Sequence, residues 1–280
     1  MNLPDFSVLM SVYFKERADY LRASLDSLIQ QTVPPSEIVL VKDGPLTDEL
    51  NQTIEEYRLA NDGVFKIISL PTNMGLGIAL QEGLLHCNFN LVARMDSDDI
   101  ADPDRFRKQL FFFQEHPDTD VLGGSIAEFS DSPDNIYAYR TLPTSHGNLK
   151  WYAERRCPMN HMTVMYKKDK VIVVGGYLHF LGFEDYFLWM RMLCEGCIFR
   201  NLPDILVRVR AGEDMMRRRG GTKYLKSEVR LQWNFLQMGM IGWSRFVANV
   251  AVRMVFRLVP NKVRISLYSM LLRDNEFSNK

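Results

Sequence analysis

The chain has 280 residues, of which 46% are hydrophobic and 24% are charged, as in ordinary globular domains. Its 34 Lys and Arg residues equal its 34 Asp and Glu residues, so the overall charge does not predict binding to nucleic acid. No uncharged apolar stretch reaches the roughly 18 residues of a transmembrane helix, no signal peptide is expected at the start, and the four cysteines lack paired zinc spacing.

The first 130 residues alternate between short apolar runs and amphipathic segments. Strands are predicted at residues 6–13, 38–41, 65–70, 91–93 and 121–125, and helices at residues 17–31, 47–60, 77–87 and 103–116. Apolar strands that alternate with helices favour an α/β fold, with a Rossmann-like, mostly parallel sheet and helices on both faces. Such sheets bind their ligands at the carboxyl ends of the strands.

The predicted fourth strand ends in an acidic cluster, which consists of Asp96, Asp98 and Asp99. Neighbouring carboxylates repel one another, and a divalent cation such as Mg²⁺ or Mn²⁺ would neutralise them. The alternative is a solvated acidic turn that caps the next helix. Because polar residues also follow the first strand, at 13–16, and the second strand, at Asp43, we favour a metal site. The arginines expected to pair with the acidic cluster are Arg94 and Arg105.

Residues 131–212 have a less regular pattern. Short strands are predicted at 162–166 and 171–174, although the second of these segments also fits a turn of helix. Residues 182–191 predict a helix whose first turn carries two adjacent carboxylates, which the partial positive charge of a helix N-terminus favours. These carboxylates are far in sequence from the acidic cluster, so they would approach it from a separate element.

The C-terminal part is basic and amphipathic, with 16 Lys or Arg against 6 Asp or Glu from residue 200 onward. We expect a mobile basic loop and a linking helix at 213–239, then amphipathic helices at 240–280, including a second segment at 263–272. The polar stripe of the first such helix consists of Arg245, Asn249, Arg253 and Arg257. This pattern predicts helices that lie on an anionic membrane with their cations towards the head groups. The alternative is packing on the body of the protein or on a partner subunit.

Five motifs, taken in order, resemble those of family 2 glycosyltransferases with the GT-A fold, and most closely those of bacterial enzymes that build O-antigen or exopolysaccharide repeat units. The motifs lie at residues 11–16, 38–44, 73–75, 96–99 and 184–185. The resemblance covers about residues 5–212. It implies a catalytic domain at 1–212, with a nucleotide-binding half at 1–130 and an acceptor-binding half at 131–212.

The resemblance also implies roles for single residues in donor binding. Asp43 would accept a hydrogen bond from the uracil of a UDP-sugar, Asp96 would contact the ribose or the sugar, and Asp98 would coordinate Mn²⁺ or Mg²⁺ between the phosphates. Arg210 and residues 217–219 would close over the donor diphosphate or reach that of a lipid-linked acceptor, unless they form a solvated basic loop. The full donor-binding set is Ser11, Tyr13, Glu16, Asp43, Asn73, Asp96 and Arg210.

For the acceptor side, the resemblance makes Asp185 the general base of an inverting displacement, with Glu184 beside it. Trp189 and Arg191 on the same helix either shape the acceptor pocket or pack the helix. His161 either faces the acceptor or is structural.

The expected activity is transfer of a hexose, preferably galactose or glucose, from a UDP-sugar to a sugar linked to undecaprenyl diphosphate. The enzyme would be peripheral, at the cytoplasmic face of the bacterial inner membrane, and its oligomeric state stays open. Alternatives are UDP-GlcNAc, UDP-GalNAc or another nucleotide sugar as donor, or a non-catalytic, membrane-peripheral nucleotide-binding protein. A nucleotidyltransferase is disfavoured because residues 13–16 are not the Gly-rich basic loop that it would need.

Overall fold

The computed structural model describes residues 3–211 and 222–258, and it confirms the predicted α/β fold. Helices cover both faces of one nine-stranded sheet. The strands are β1 (Phe6–Val12), β2 (Glu37–Lys42), β3 (Phe65–Ser69), β4 (Leu91–Asp96), β5 (Ile100–Ala101), β6 (Val121–Phe129), β7 (Ile136–Arg140), β8 (Met165–Lys167) and β9 (Phe199–Arg210). The helices are α1 (Ala18–Ile29), α2 (Asp48–Ala60), α3 (Leu76–His86), α4 (Arg105–Glu115), α5 (His146–Ala153), α6 (Lys168–Val173), α7 (Glu184–Cys194), α8 (Thr222–Gln237) and α9 (Trp243–Leu258).

The first four strands form the parallel half of the sheet, in the order β3-β2-β1-β4. In this register Ser11 of β1 lies opposite Val41 of β2 on one side and opposite Asp96 of β4 on the other. The buried apolar runs of β1, β2 and β4 are those of strands covered by helices on both faces. Parallel pairing therefore brings the carboxyl ends of these three strands to one edge of the sheet.

The second half of the sheet mixes strand directions. Strand β8 is antiparallel to both β4 and β6, and it joins the two halves. Strands β6 and β9 run parallel, while β7 pairs antiparallel with β6 and β5 pairs antiparallel with β9. Residues 171–174 were predicted to form either a strand or a turn of helix. Helix α6, which directly follows β8, includes residues 171–173, so the helical alternative is correct for most of the segment.

Two apolar clusters cover the two faces of the sheet. One cluster packs α1, α2 and α4 against the sheet, and the other packs α3, α5, α7 and α8. Successive residues of β1 point to opposite clusters, as the pleat of a strand requires: Leu9 belongs to one cluster, and Val8 and Met10 belong to the other. Helices α3 and α7 therefore share one face of the sheet.

Helix α9 turns its polar stripe towards the protein. Asn249, which is 6% exposed, donates hydrogen bonds to the Glu154 carbonyl oxygen at 2.7 Å and to the Gln232 side chain at 2.8 Å. Arg253 forms a salt bridge with Glu228 at 3.1 Å. The prediction that these cations face lipid head groups is therefore wrong for the described part of the stripe, because the body of the protein supplies their partners.

The opposite side of α9 exposes apolar side chains. Trp243 is 64% exposed and Val247 is 60% exposed, and Met254 on the same side is also exposed. Val252, which lies closer to the polar stripe, is exposed as well. Among the described helices, none is both long and apolar enough to span a bilayer. The predicted segments at 217–219 and 263–272 lie outside the described residues.

Candidate active site

Predicted donor residues lie along the edge formed by the carboxyl ends of β1, β2 and β4. Ser11 near the end of β1 is opposite Asp96 at the end of β4. Asp43 directly follows β2, and its backbone N–H donates a hydrogen bond to the last carbonyl oxygen of β1 at 2.8 Å. Tyr13 and Glu16 lie in the turn after β1, which closes through a hydrogen bond of 3.0 Å from the Glu16 N–H to the Tyr13 carbonyl oxygen. The structure thus brings these residues together.

The acidic cluster at the end of β4 is compact. Carboxylate oxygen atoms of Asp96, Asp98 and Asp99 lie within 4.8 Å of one another. Burial, with the neighbouring charges of Asp96 and Glu16, raises the pKa of Asp98 to about 7. Burial and the charge of Asp98 also raise the pKa of Asp99. Crowded carboxylate oxygens are the ligands that Mg²⁺ and Mn²⁺ prefer, so this donor set fits a divalent metal.

Hydrogen bonds tie the acidic cluster to neighbouring elements. Asp99 accepts a hydrogen bond from the backbone N–H of Arg210 at 2.9 Å, which joins the cluster to the end of β9. The Ser97 hydroxyl donates to the Glu16 carboxylate at 2.7 Å, which joins the cluster to the turn after β1. These bonds place Glu16 close enough to act on the pKa of Asp98.

Arg94 places a buried positive charge beneath the acidic cluster. Its side chain is 1% exposed and forms the predicted ion pair with Asp96. Two of its nitrogens, Nε and Nη1, have no hydrogen-bond partner among the described residues. Arg105, for which the same pairing was predicted, instead donates a hydrogen bond to the Arg94 carbonyl oxygen at 2.7 Å.

Asp43 holds a loop against the ends of the strands. Its two carboxylate oxygens accept hydrogen bonds from the backbone N–H groups of Met74, at 2.7 Å, and Gly75, at 3.0 Å. The Asn73 side-chain amide donates to the Asp43 carbonyl oxygen at 3.3 Å. Gly44 has a φ of +85°, and a Cβ there would lie 2.5 Å from the Asn73 nitrogen, so the close approach of this loop requires glycine.

The carboxylates of Glu184 and Asp185 open helix α7, as predicted. A Cβ at Gly77 of α3 would lie 2.9 Å from the Leu178 carbonyl oxygen and 3.3 Å from the Glu184 Cβ, so the two helix starts pack closely. Burial and the charge of Asp185 raise the pKa of Glu184 to about 7, and charges of Arg94 and Asp96 act on the same group. Glu184 is therefore within electrostatic reach of the acidic cluster.

Asp185 has a sulfur neighbour that the sequence did not reveal. The Cys157 Sγ lies 3.5 Å from the Asp185 Oδ2. Burial and the charge of Asp185 raise the pKa of Cys157, so its neutral thiol donates the hydrogen bond. The two residues are 28 positions apart, and no pattern in the sequence connects them.

The three predicted acceptor residues occupy the core or its margin. His161 is buried, its Nε2 lies 3.0 Å from the Tyr177 hydroxyl, and burial lowers its pKa. Trp189 is fully buried, with its ring centroid 6.0 Å from that of His161. Arg191 donates to the Gly176 carbonyl oxygen at 2.7 Å and fixes the turn after α6. Burial of His161 and Trp189 supports the structural and packing alternatives, and the acceptor role of all three residues stays a prediction.

Arg210 lies between two aromatic rings at the end of β9. Its Cζ atom is 3.8 Å from the Tyr20 ring centroid and 4.7 Å from the Phe129 ring centroid. The backbone N–H of Arg210 bonds to Asp99, while its guanidinium stacks on these two rings. The sequence did not predict that Tyr20 stacks on Arg210, which is the second unpredicted contact of the site after that between Cys157 and Asp185.

Comparison with known proteins gives consistent matches along the chain. The model of a family described as Glycosyl transferase family 2 matches residues 7–173. An uncharacterized glycosyltransferase of Haemophilus influenzae is 44% identical over 268 residues, which cover 96% of this chain and 99% of the relative. The amylovoran biosynthesis glycosyltransferase AmsE of Erwinia amylovora is 43% identical, covering 94% of this chain and 97% of the relative.

A third relative has a name that states its reaction. It is the UDP-Gal:alpha-D-GlcNAc-diphosphoundecaprenol beta-1,3-galactosyltransferase of Escherichia coli, 37% identical over 270 residues that cover 96% of this chain and 97% of the relative. Among solved structures, S. aureus TarS 1–349 in complex with UDP-GlcNAc is similar in fold, with a TM-score of 0.67 at 21% identity. That likeness covers 96% of this chain and 76% of TarS 1–349.

Proposed function

The chain belongs to glycosyl transferase family 2, and from this premise we propose that it transfers a hexose, preferably galactose or glucose, from a UDP-sugar to a sugar on undecaprenyl diphosphate. The transfer would be a step in building O-antigen or exopolysaccharide repeat units. Two relatives support this proposal. The name of the E. coli relative states UDP-Gal as donor and GlcNAc-diphosphoundecaprenol as acceptor, and the Erwinia relative is named for amylovoran biosynthesis.

One observation carries the proposal: two groups of carboxylates from separate elements meet at the same edge of the sheet. The acidic cluster ends β4, and Glu184 with Asp185 opens α7. The charge of Asp96 acts on the pKa of Glu184, so the two groups are within electrostatic reach. A glycosyl transfer needs this division, since the leaving diphosphate and the attacking hydroxyl lie on opposite sides of the anomeric carbon.

The donor would lie along the ends of β1, β2 and β4. Asn73 bonds to the carbonyl oxygen of Asp43, and Ser11 and Tyr13 lie on the neighbouring strand β1 and in the turn after it. Each carboxylate oxygen of Asp43 accepts one backbone hydrogen bond. A carboxylate oxygen has room for a second hydrogen bond, so Asp43 is also able to accept the N–H of uracil. The guanidinium of Arg210 would bind the diphosphate with charge-assisted hydrogen bonds.

Asp98, with Asp96 and Asp99 beside it, would hold Mn²⁺ or Mg²⁺. The bound ion would supply positive charge to the departing nucleoside diphosphate. Arg94 keeps Asp96 oriented through their buried ion pair. Glu16 would contribute to the negative potential of the same site, because its charge already acts on Asp98.

Asp185 would act as the general base. As the acceptor hydroxyl attacks the anomeric carbon, its proton passes to the Asp185 carboxylate, and the bond from the anomeric carbon to the UDP oxygen breaks. Attack from the side opposite UDP inverts the configuration of the anomeric carbon. The Cys157 thiol orients Asp185 through its hydrogen bond to Oδ2, and Glu184 lies beside it.

The enzyme would bind peripherally to the cytoplasmic face of the inner membrane, where a lipid-linked acceptor is available. The exposed apolar side of α9 supports this location, because an apolar surface in water favours contact with a partner or a membrane.

Purified protein assayed with UDP-Gal, UDP-Glc, UDP-GlcNAc and UDP-GalNAc, Mn²⁺ and a GlcNAc-diphosphate-lipid analogue tests the proposal. We expect a β-linked hexose product by NMR, and a loss of about 100-fold or more in Asp98→Asn and in Asp185→Asn. Asp48→Asn, an exposed carboxylate on α2, is the matched control and should keep full activity. An α-linked product would refute inversion, and UDP binding without transfer from any donor would favour the non-catalytic alternative.

A further inference from the structure

An apolar groove runs between helices α8 and α9. Four apolar side chains and the stems of two basic ones line it, and its volume is about 460 Å³. Ligand pockets in proteins commonly measure about 300–1,000 Å³. The residues that define the α8–α9 groove are Leu225, Lys226, Val229, Arg230, Trp233 and Phe246.

The groove is held open by the way α9 is attached. Asn249 bonds to Gln232, and Arg253 pairs with Glu228, so the polar stripe of α9 is fixed against α8 and α5. The Phe246 ring meets the Trp233 ring at 5.9 Å and forms one wall of the groove. Because these polar contacts set the spacing of the two helices, the groove is preformed and presents apolar surface to solvent.

Two cations stand at the groove. Lys226 and Arg230 are both exposed and lie four residues apart on α8, so their side chains share one side of the helix. Arg230 also has its Cζ atom 5.9 Å from the Phe180 ring centroid. A paired positive charge beside an apolar groove complements an amphiphile with a diphosphate head and one hydrocarbon chain.

The groove adjoins the segment that leads into the candidate base. The Ser227 hydroxyl donates to the Leu181 carbonyl oxygen at 2.9 Å, and the Tyr224 ring lies 4.8 Å from the Phe183 ring. Phe183 immediately precedes Glu184, the first residue of α7. Helix α8 therefore contributes both to the groove and to the contacts that hold the segment before α7.

We propose that the α8–α9 groove binds the polyprenyl chain of the lipid-linked acceptor nearest its diphosphate, with Lys226 and Arg230 on the phosphates. This inference rests on the proposed function, because a lipid-diphosphate acceptor combines a hydrocarbon chain with a diphosphate, and the apolar side chains and two cations of the groove complement both parts. Two other occupants of the groove fit less well. Contact with a flat bilayer would not require a concave groove, and contact with a second protein chain would not require two neighbouring cations. The groove thus selects acceptors by their lipid and presents their sugar to Asp185.

Acceptors that differ only in the chain test this inference without a membrane. The same sugar diphosphate carries either a propyl or a farnesyl group, both below their micellar concentration. We expect wild type to prefer the farnesyl acceptor about tenfold or more in kcat/KM, because the groove buries its apolar surface. Val229→Glu should abolish the preference, measured as the ratio of kcat/KM for the farnesyl acceptor to kcat/KM for the propyl acceptor, because both acceptors share any loss that a new charge near Lys226 and Arg230 causes at the diphosphate. Val252→Glu, on the exposed side of α9 outside the groove, should keep the preference.

Binding of farnesyl diphosphate, which has no sugar, gives a readout that does not need transfer. Calorimetry should detect binding to wild type and about tenfold weaker binding to the double variant Lys226→Gln, Arg230→Gln, whose exposed positions spare the fold. Lys150→Gln, an exposed residue on α5, is the control. If farnesyl diphosphate binds but no sugar is transferred, the proposed function fails and the groove assignment stands.

Three results would overturn the groove assignment. The first is an equal kcat/KM of wild type for both acceptors together with no binding of farnesyl diphosphate. The second is a Val229→Glu variant that keeps the chain preference and loses only vesicle binding, which would make the groove a bilayer contact. The third is a dimer of wild type that Val229→Glu dissociates in light scattering, which would assign the groove to a second copy.

Discussion

At the scale of single residues, Arg94 connects the two groups of carboxylates. A buried guanidinium is costly unless ionic partners compensate for its lost hydration. Arg94 pairs with Asp96, and its charge also acts on Asp98 and Glu184. The pairing with Asp96 follows from the sequence, since the two residues project to one side of a strand two positions apart. The electrostatic effect of Arg94 on Glu184 does not follow from the sequence, because it acts between two distant elements, β4 and α7.

The same residues predict how activity depends on pH. Glu184 has a pKa of about 7, raised by burial and by the charge of Asp185, so it takes up a proton as the pH falls through 7. The adjacent carboxylates titrate as a pair, and we expect kcat/KM to rise with pH around an apparent pKa of about 7. Glu184→Gln removes one carboxylate, so the apparent pKa should fall by about one unit. A profile measured at saturating Mn²⁺ that is identical in wild type and Glu184→Gln would contradict this assignment.

At the scale of elements, α3 and α7 place the candidate base. Gly77 lets the start of α3 touch Leu178 and Glu184, and Asp43 holds the preceding loop by its two carboxylate oxygens. A side chain at Gly77 would push the two helix starts apart. The loop and the helix are therefore positioned by Gly77, which lacks a side chain, and by Asp43, whose carboxylate accepts hydrogen bonds from backbone N–H groups.

From the structure of α9 we predict that membrane binding depends on its exposed apolar side chains more than on its polar stripe, because the stripe is bonded to the protein. Val247→Glu with Val252→Glu should weaken binding to phosphatidylglycerol vesicles about tenfold or more, since both side chains present apolar surface to solvent on α9. Leu59→Glu is the matched control, because Leu59 is 65% exposed on α2, across the sheet. Raising NaCl from about 0.1 M to about 0.5 M should change wild-type binding little in a sedimentation assay. Loss of binding in high salt would instead support an electrostatic contact.

At the scale of the whole molecule, one continuous sheet connects the predicted nucleotide-binding half with the predicted acceptor-binding half. Strand β8 joins the parallel strands to β6 and β9, and the end of β9 returns Arg210 to the acidic cluster. Residues from both predicted halves therefore meet at one edge. The carboxylates gathered there repel one another, and Arg94 compensates only part of their charge, so the site that favours a cation also destabilises the fold when the carboxylates are ionised.

This charge predicts how stability depends on pH and metal. Asp98 and Glu184 have folded-state pKa values of about 7, above their ordinary values of 3.8 and 4.5, so each stabilises the fold below those ordinary values and loses this contribution as pH rises through about 7. The pKa of Asp99 is also raised by burial, so its contribution has the same sign. In EDTA the Tm should fall between about pH 5 and pH 8. Saturating Mn²⁺ at pH 8 should raise the Tm by about 5 °C. Asp98→Asn should flatten the pH dependence and reduce the Mn²⁺ effect in differential scanning calorimetry, and an unchanged Tm with Mn²⁺ would argue against a metal site.

The order of strands and helices before residue 130, the acidic cluster and the carboxylates of α7 were all readable from the sequence. Apolar strands alternate with amphipathic helices, so local periodicity is enough to predict a parallel sheet, and a parallel sheet is enough to bring strand ends together. The family motifs lie at those strand ends for the same reason.

Contacts between distant residues were decided only by the tertiary structure. His161 and Trp189 carry functional groups that suit an acceptor site, yet burial places them in the core. The sequence of the polar stripe of α9 is equally compatible with lipid head groups and with protein partners. The structure shows protein partners, because Asn249 of the stripe donates hydrogen bonds to Glu154 and Gln232. A sequence records which residues share a face of an element, because that is set by local geometry. It does not record what the face meets, because that depends on how distant elements pack.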